Sequence, residues 1–311
     1  MEFLSKTTHV DFMGKRRLAL IVSAVLIVLS LVTLFARGLN FGIEFTGGVV
    51  IEVGFPTAAD LTAIRSAMGG AGFPEAVVQN FGTSRDVVIQ LEARESVAGS
   101  AIRDQVMSVL RELDSGVTLR RVEFVGPQVG EELAEAGGLA TLFALLMILA
   151  YVAFRFQWKF AVGAVAALVH DVVITLGFFA ALHLPFDLAV LAAILAVIGY
   201  SLNDTIVVFD RIRENLLRIR KRETLEVMNL SINQMLARTL MTSGTTMLVL
   251  LALFIFGGEA IHGFSVALIV GVVVGTYSSI FIASPTALAL DVTATDLMPP
   301  QKDESEIDAL P

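Results

Sequence analysis

Six long apolar runs alternate with short polar segments along the chain, and one longer polar stretch, residues 37–135, separates the first run from the second. The runs lie at 18–36, 136–154, 160–182, 186–209, 238–257 and 263–290. Each is close to the ~20 residues that a helix rising ~1.5 Å per residue needs to cross the hydrocarbon core. They predict six transmembrane helices. The first follows Lys15, Arg16 and Arg17 in the manner of a signal peptide, but its apolar run is long and no small-residue cleavage site follows, so it is expected to remain as an anchor.

Within 37–135 the pattern changes between periods of two and of 3.6. "TGGVVIEVGF" (46–55) reads as a strand, and "AADLTAIRSAMGG" (58–70) as a short helix ended by glycines. "EAVVQNFG" (75–82) and "DVVIQLE" (86–92) read as a hairpin turning around Thr83, Ser84 and Arg85. A second helix, 96–113, places Ile102, Val106, Val109, Leu110 and Leu113 on one face, and "GVTLRRVEFVG" (116–126) closes as a strand. The order βαββαβ is that of a small ferredoxin-like α/β domain. Such a sheet has one helix-covered face and one open face, which suits contact with another chain. A structural cap and a docking domain both fit.

Composition sharpens the membrane assignment. Of 311 residues, 55% are hydrophobic and 17% charged, and the mean hydropathy is +0.77, whereas charged residues approach ~25% in soluble domains. The chain has no cysteine and four scattered histidines, which leaves no thiol chemistry and little basis for a metal site. No cofactor is expected. The formal net charge of −8 argues against a nucleic-acid partner.

Basic residues set the orientation. Lys6, Lys15, Arg16 and Arg17 precede the first run, Arg155 and Lys159 lie between the second and third, and Arg211, Arg213, Arg218, Arg220, Lys221, Arg222 and Arg238 lie between the fourth and fifth. The loops at 183–185 and 258–262 hold no Lys or Arg. Both termini are therefore expected in the cytoplasm, with residues 1–17 and 291–311 on that side and 37–135 outside. The segment 211–236 carries Ile212, Leu216, Ile219 and Leu225 among basic residues and reads as an amphipathic helix on the anionic inner surface. The acidic tail 291–311 reads as disordered.

Polar residues inside the runs are the candidates for chemistry. Asp204, in "IGYSLNDTIVVFDRIREN" (198–215), lies at membrane depth, where a carboxylate costs ~2.5–3.5 kcal/mol to insert. Asn203 and Ser201 can hydrogen-bond across helices and Thr205 back to its own helix, while Asp210 reads as a solvated helix end. The fifth run opens with "ARTLMTSGTTMLVLL" (237–251), in which Thr239, Thr242 and Thr246 fall at i, i+3 and i+7, a single face. Arg238 stands at a depth comparable with Asp204 if the fifth helix begins a turn earlier. An Asp204–Arg238 pair beside a hydroxyl stripe is what a proton relay requires, and a static salt bridge between two helices is the alternative. Both readings stay open on these residues alone. His170 and Asp171, in "LVHDVVITLGFF" (168–179), lie near mid-membrane and could extend a proton path, although adjacent residues diverge by ~100° on a helix. In "GTYSSIFIASPTAL" (275–288) the small residues suit close helix contact and Pro285 predicts a kink. Neither paired intramembrane aspartates nor HExxH occurs, so an intramembrane protease is not expected.

Five stretches in order resemble the SecF family: "FGIEFTGG" at 41–48, "VGPQVGEEL" at 125–133, "IGYSLNDTIVVFDRIREN" at 198–215, "ARTLMTSGTT" at 237–246 and "SSIFIASP" at 278–285. The first two also occur in related form in SecD. The resemblance implies a six-helix bundle of the RND superfamily type in the bacterial inner membrane, paired with SecD. It implies a non-enzymatic, proton-motive-force-coupled accessory role in late protein translocation through SecYEG, with unfolded exported proteins as clients. It carries the family's membrane carboxylate onto Asp204 and its functional arginine onto Arg238, and no role onto His170 or Asp171. An RND-type half-transporter of lipids or small solutes is the alternative, which the small size of the 37–135 domain disfavours.

Overall fold

The computed structural model describes residues 8–92, 99–219, 221–258 and 261–297. Helix α1, Arg16–Arg37, leads into a two-residue strand β1, Asn40–Phe41, and a single helical turn α2, Ile43–Thr46. The α/β domain follows: β2 Gly48–Gly54, α3 Leu61–Gly70, β3 Val77–Phe81, β4 Thr83–Glu92, α4 Gly99–Leu113 and β5 Thr118–Val125. The sheet order is β3-β4-β2-β5 with every pair antiparallel, the split βαβ arrangement expected from the pattern. Alternation along the strands explains the two faces. Val49, Ile51, Val53, Val87, Ile89 and Leu91 are buried against Ile64 and Met68 of α3 and Ile102, Val106 and Leu110 of α4. Asp60 caps α3 by accepting from the Thr62 and Ala63 amides at 2.9 and 3.1 Å.

Two local expectations are corrected. The β3–β4 chain reversal is made at Gly82, whose φ is +73°, and Thr83, Ser84 and Arg85 belong to β4, where the register shifts after Asn80. A glycine reverses the chain in fewer residues than the three polar positions proposed. Thr46 and Gly47 precede the sheet, because Gly47, with φ +71°, ends α2.

The join between domain and helices is built from glycines and phenylalanines. Gly48 has φ +152°, and a Cβ there would stand 2.3 Å from the Leu91 carbonyl oxygen. A Cβ on Gly130 would stand 2.7 Å from the Gly47 nitrogen, so the "FGIEFTGG" and "VGPQVGEEL" stretches pack backbone to backbone. β1 pairs in parallel with β6, Pro185–Phe186, and Phe41, Phe45 and Phe186 cluster with ring centroids 5.7–5.8 Å apart. Between the open face of the sheet and this collar lies a cleft of about 410 Å³, lined by Glu44, Glu52, Arg121, Glu123, Asp187 and His262 among others. Burial pushes the Glu44 carboxyl above its ordinary range, with the Asp187 and Glu123 carboxylates adding to the effect.

Beyond the domain, α5 runs Pro127–Arg155, α6 Trp158–Leu182, α7 Leu188–Arg218 and α8 Thr224–Phe256. Helix α9, His262–Ser278, passes through a π turn at Ser279–Ala283 into α10, Ser284–Ala289. Among the described residues, six helical units are long and apolar enough to cross a membrane. Those formed by α6, α7 and α9 make the bundle interior, while α1, α5 and α8 expose large apolar side chains such as Phe35, Phe154 and Phe256, as surfaces in contact with lipid or another apolar bundle do.

At the end of the bundle opposite the α/β domain, the separate amphipathic helix expected over 211–236 is replaced by extensions of α7 and α8. Ile212 and Leu216 are buried with Val227, Met228 and Ile232 in one core that also holds Met13, Phe160 and Phe209. The apolar face finds protein in place of a lipid surface, and Asn215 Nδ2 donates to Ser231 Oγ and Gln234 Oε1, both at 2.9 Å. Residues 8–13 cross α8 on two asparagines one turn apart. Asn229 Oδ1 accepts from the Phe12 and Met13 amides, and Asn233 Oδ1 from the Val10 amide. The start of the tail is also ordered. Val292 and Leu297 are buried in the same core, and Lys159 Nζ lies 2.7 Å from Asp296 Oδ2, which holds the Asp296 carboxyl below its ordinary range. Residues 298–311, for which disorder is expected, lie outside the described residues.

Candidate functional site in the bundle interior

A stripe of small residues on α9 brings two aspartates together with hydroxyls. Gly271, Gly275 and Ser279 follow one another at intervals of four, the spacing that lets helices approach closely. A Cβ on Gly271 would meet Val197 Cγ2 at 2.1 Å, and one on Gly275 would meet Ser201 Cβ at 3.0 Å. One turn further, Ser279 Oγ donates to Asp204 Oδ2 at 3.2 Å. Val197, Ser201 and Asp204 are themselves i, i+4 and i+7 on α7, so a single helix–helix register explains all three contacts.

Asp204 is 6% exposed. Its second oxygen, Oδ1, accepts from Thr239 Oγ1 of α8 at 3.1 Å. The expected Asp204–Arg238 ion pair is not formed: Arg238 is exposed, and among the described residues no carboxylate lies within 4.0 Å of it. Thr239 and Arg238 are neighbours in sequence and therefore ~100° apart around the helix. The face that meets Asp204 is the hydroxyl's.

The hydroxyl stripe also divides. Thr239 is buried, but Thr242 is exposed and bonds its own helix at the Arg238 and Thr239 carbonyls. Thr246 is half-buried and lies away from the carboxylate's hydrogen bonds. Asn203 is exposed on α7, and the buried Thr205 hydroxyl has no hydrogen-bond partner among the described residues, in place of the bond expected to its own helix. A different side-chain chain links three helices: Tyr200 OH donates to Ser243 Oγ at 3.2 Å, and Ser243 Oγ lies 2.7 Å from Thr276 Oγ1.

His170 and Asp171 on α6 are 2% and 1% exposed. Asp171 Oδ1 lies 2.9 Å from His170 Nδ1, and Oδ2 accepts from Ser201 Oγ at 2.5 Å and Ser278 Oγ at 2.7 Å. His170 stacks on Tyr277 with centroids 6.1 Å apart, and its Nε2 is buried without a hydrogen-bond partner among the described residues. The sequence offered Ser278 and Ser279 only as packing residues. Their adjacency in "SSIFIASP" was the available signal, since consecutive hydroxyls in a spanning helix address two neighbouring faces at once. The π turn begins at Ser279 and ends just before Ser284–Pro285. Pro285 has no N–H for an α-helical bond to the carbonyl four residues earlier, and Ser284 Oγ donates to the Ser279 carbonyl at 3.1 Å.

Along most of its length the chain is similar to known proteins. Residues 105–293 match the family model for the protein export membrane protein SecD/SecF, C-terminal region, and residues 32–58 match that for the SecD/SecF GG motif. The chain belongs to the SecD/SecF family. The protein translocase subunit SecF of Vibrio alginolyticus is 50% identical over 100% of this chain and 99% of its own. That of Pseudomonas aeruginosa is 49% identical over 95% and 96%. Among solved structures, SecDF of Thermus thermophilus, described as a translocon-associated membrane protein, matches with a TM-score of 0.84 at 37% identity over 94% of this chain. This chain spans 40% of that longer SecD/SecF polypeptide. A second SecDF structure, in a super-membrane-facing form, matches with a TM-score of 0.69 at 38% identity over 91% of this chain.

Proposed function

We propose that the chain is a SecF-type subunit of the Sec protein-export machinery. It works with SecD at SecYEG and couples the proton motive force to late translocation and release of unfolded client proteins. Close similarity to SecF translocase subunits over the whole chain supports the assignment, as does the structural likeness to a SecDF protein. The membrane is the bacterial inner membrane, with both termini cytoplasmic and the α/β domain outside. The distribution of Lys and Arg among the short loops supports that orientation.

The observation that carries the coupling is Asp204, a buried carboxylate whose hydrogen-bond partners are both hydroxyls. A hydroxyl donates or accepts by rotating about its C–O bond. Ionised Asp204 takes two O–H donors; protonated, it donates its own O–H to one of them, and that hydroxyl turns. The site therefore holds both protonation states without a fixed counter-charge. A static ion pair would hold only one. Arg238, exposed on the outer face of α8, is oriented to act on a neighbouring bundle.

The test is Asp204→Asn in cells depleted of the native subunit. Asn keeps the shape and can use the same two hydroxyls, so the expected result is normal accumulation and partner assembly with loss of proton-stimulated secretion of a reporter. Normal secretion by an accumulating variant would overturn the relay.

A further inference from the structure

The carboxylate of Asp171 is more completely enclosed than that of Asp204, and the relay just described does not use it. Like Asp204 it accepts from two hydroxyls, here Ser201 of α7 and Ser278 of α9, with no Lys or Arg in contact with it among the described residues. It has one addition, the imidazole of His170 at 2.9 Å. Whichever tautomer His170 adopts, one ring nitrogen faces Asp171 and the other, Nε2, is buried with no hydrogen-bond partner among the described residues. If Nδ1 carries the proton, Nε2 is a free base. With one proton more, taken up at Nε2 as the Nδ1 proton passes to Asp171, Nδ1 accepts and Nε2–H is a free donor. Buried side-chain polar atoms are as a rule hydrogen-bonded, so an orphaned ring nitrogen beside a carboxylate calls for an explanation.

The two aspartates are read by consecutive residues. Ser278 Oγ donates to Asp171 and Ser279 Oγ to Asp204, and the peptide that joins them is where α9 passes into the π turn. π turns within α-helices are frequent at functional sites. Among the described residues, the titratable groups nearest Asp171 and His170 are Asp204, across Ser278–Ser279, and Tyr277, which stacks on His170 and is tied to α1 through Ser23 and the Ala19 carbonyl. Ser201, Thr175 and Ser278 complete the surroundings and are neutral.

We propose that Asp171 and His170 form a second proton-binding station, and that Ser278–Ser279, at the start of the π turn, couples its occupancy to that of Asp204. Binding one proton takes the pair from a carboxylate with a neutral imidazole, net −1, to net zero. A protonated Asp171 no longer needs both O–H donors, so Ser278 turns or withdraws. Ser279, on the same short backbone segment, shifts with it. The proposal rests on the relay reading of Asp204 and adds to it a second station and the helix element between them.

The test is infrared difference spectroscopy of the purified chain with its SecD-type partner in lipid, stepping pH and following the C=O stretch of protonated carboxyls. Asp171→Asn and Asp204→Asn are each expected to remove a different band, and Ser278→Ala to move the titration midpoint of both bands. If Asp204→Asn removes a band and Asp171→Asn changes nothing, Asp171 is a permanently ionised staple and the second station is overturned while the relay stands. If neither removes a band, the relay itself fails. Should Asp171→Asn not assemble, Ser278→Ala and Ser201→Ala decide, since each leaves the carboxylate in place; unchanged bands in both overturn the proposal.

Discussion

Thr205 carries a buried hydroxyl with no hydrogen-bond partner among the described residues, and an unsatisfied buried polar group costs about 1–3 kcal/mol. Thr205→Val keeps the branched shape and removes the hydroxyl. The expected outcome is a gain of about 1 kcal/mol, seen as a raised midpoint in thermal unfolding of the detergent-solubilised chain. A lowered midpoint would show that the hydroxyl has a partner. Glu44 makes the opposite case, a charge that the fold disfavours. Burial, then Asp187 and Glu123, raises its carboxyl from an ordinary value of 4.5, so in the window just above that value the folded state binds more protons than the unfolded one. Its contribution therefore falls as pH rises through that window and stays low above it. Glu44→Gln is expected to raise the unfolding midpoint at neutral pH and to lessen the difference between pH ~4.5 and neutral pH. An unchanged pH profile would remove Glu44 from the balance at the collar.

At the scale of elements, the register between α7, α8 and α9 decides which polar groups meet. The small residues Gly271 and Gly275 set the α7–α9 approach, and Ser243 with Thr276 marks where α8 and α9 touch, Oγ to Oγ1 at 2.7 Å. Because the chain has no cysteine, Ser243→Cys combined with Thr276→Cys reports this register without background. Disulfides need Cα atoms within about 7 Å and Cβ atoms about 3.5–4.5 Å apart. The pair is expected to cross-link on mild oxidation in membranes, whereas Thr242→Cys with Thr276→Cys, on the exposed side of α8, is expected not to. The reverse pattern would rotate α8 by about one residue and return Arg238 towards Asp204.

For the whole molecule, interior and exterior follow different rules. Polar groups are concentrated among α6, α7, α9 and one face of α8, while α1, α5 and the remainder of α8 present apolar side chains outward. Arg238 lies on that outward side. Exposed substitutions away from caps and networks change stability by about 0.5 kcal/mol or less. Arg238→Ala is thus expected to leave thermal unfolding of the isolated chain unchanged while reducing co-purification with the SecD-type partner and secretion of a reporter. Loss of stability in the isolated chain would instead place Arg238 in the fold of its own bundle.

Much of this architecture was legible along the chain. Spanning runs announce themselves because every backbone polar group in lipid must be satisfied within a helix, and the βαββαβ order is visible because strands alternate with period two and helices with 3.6. Asp171 and Asp204 also stand out by the cost of placing carboxylates at that depth. Tertiary structure decided their partners. A one-residue step turns a helix by ~100°, so local sequence cannot choose between Arg238 and Thr239 as the neighbour of Asp204; contacts at Val197–Gly271 and Ser201–Gly275 fix the α7–α9 register, and the bundle as a whole sets the phase of α8. The same holds for 211–236, whose amphipathic pattern marks an apolar face but not whether lipid or protein covers it. Hydropathy along the chain marks which segments span and which residues are costly to bury. Only the packing of distant small residues determined which hydroxyls meet those carboxylates, because helix phase and register are set by contacts between segments far apart in the chain.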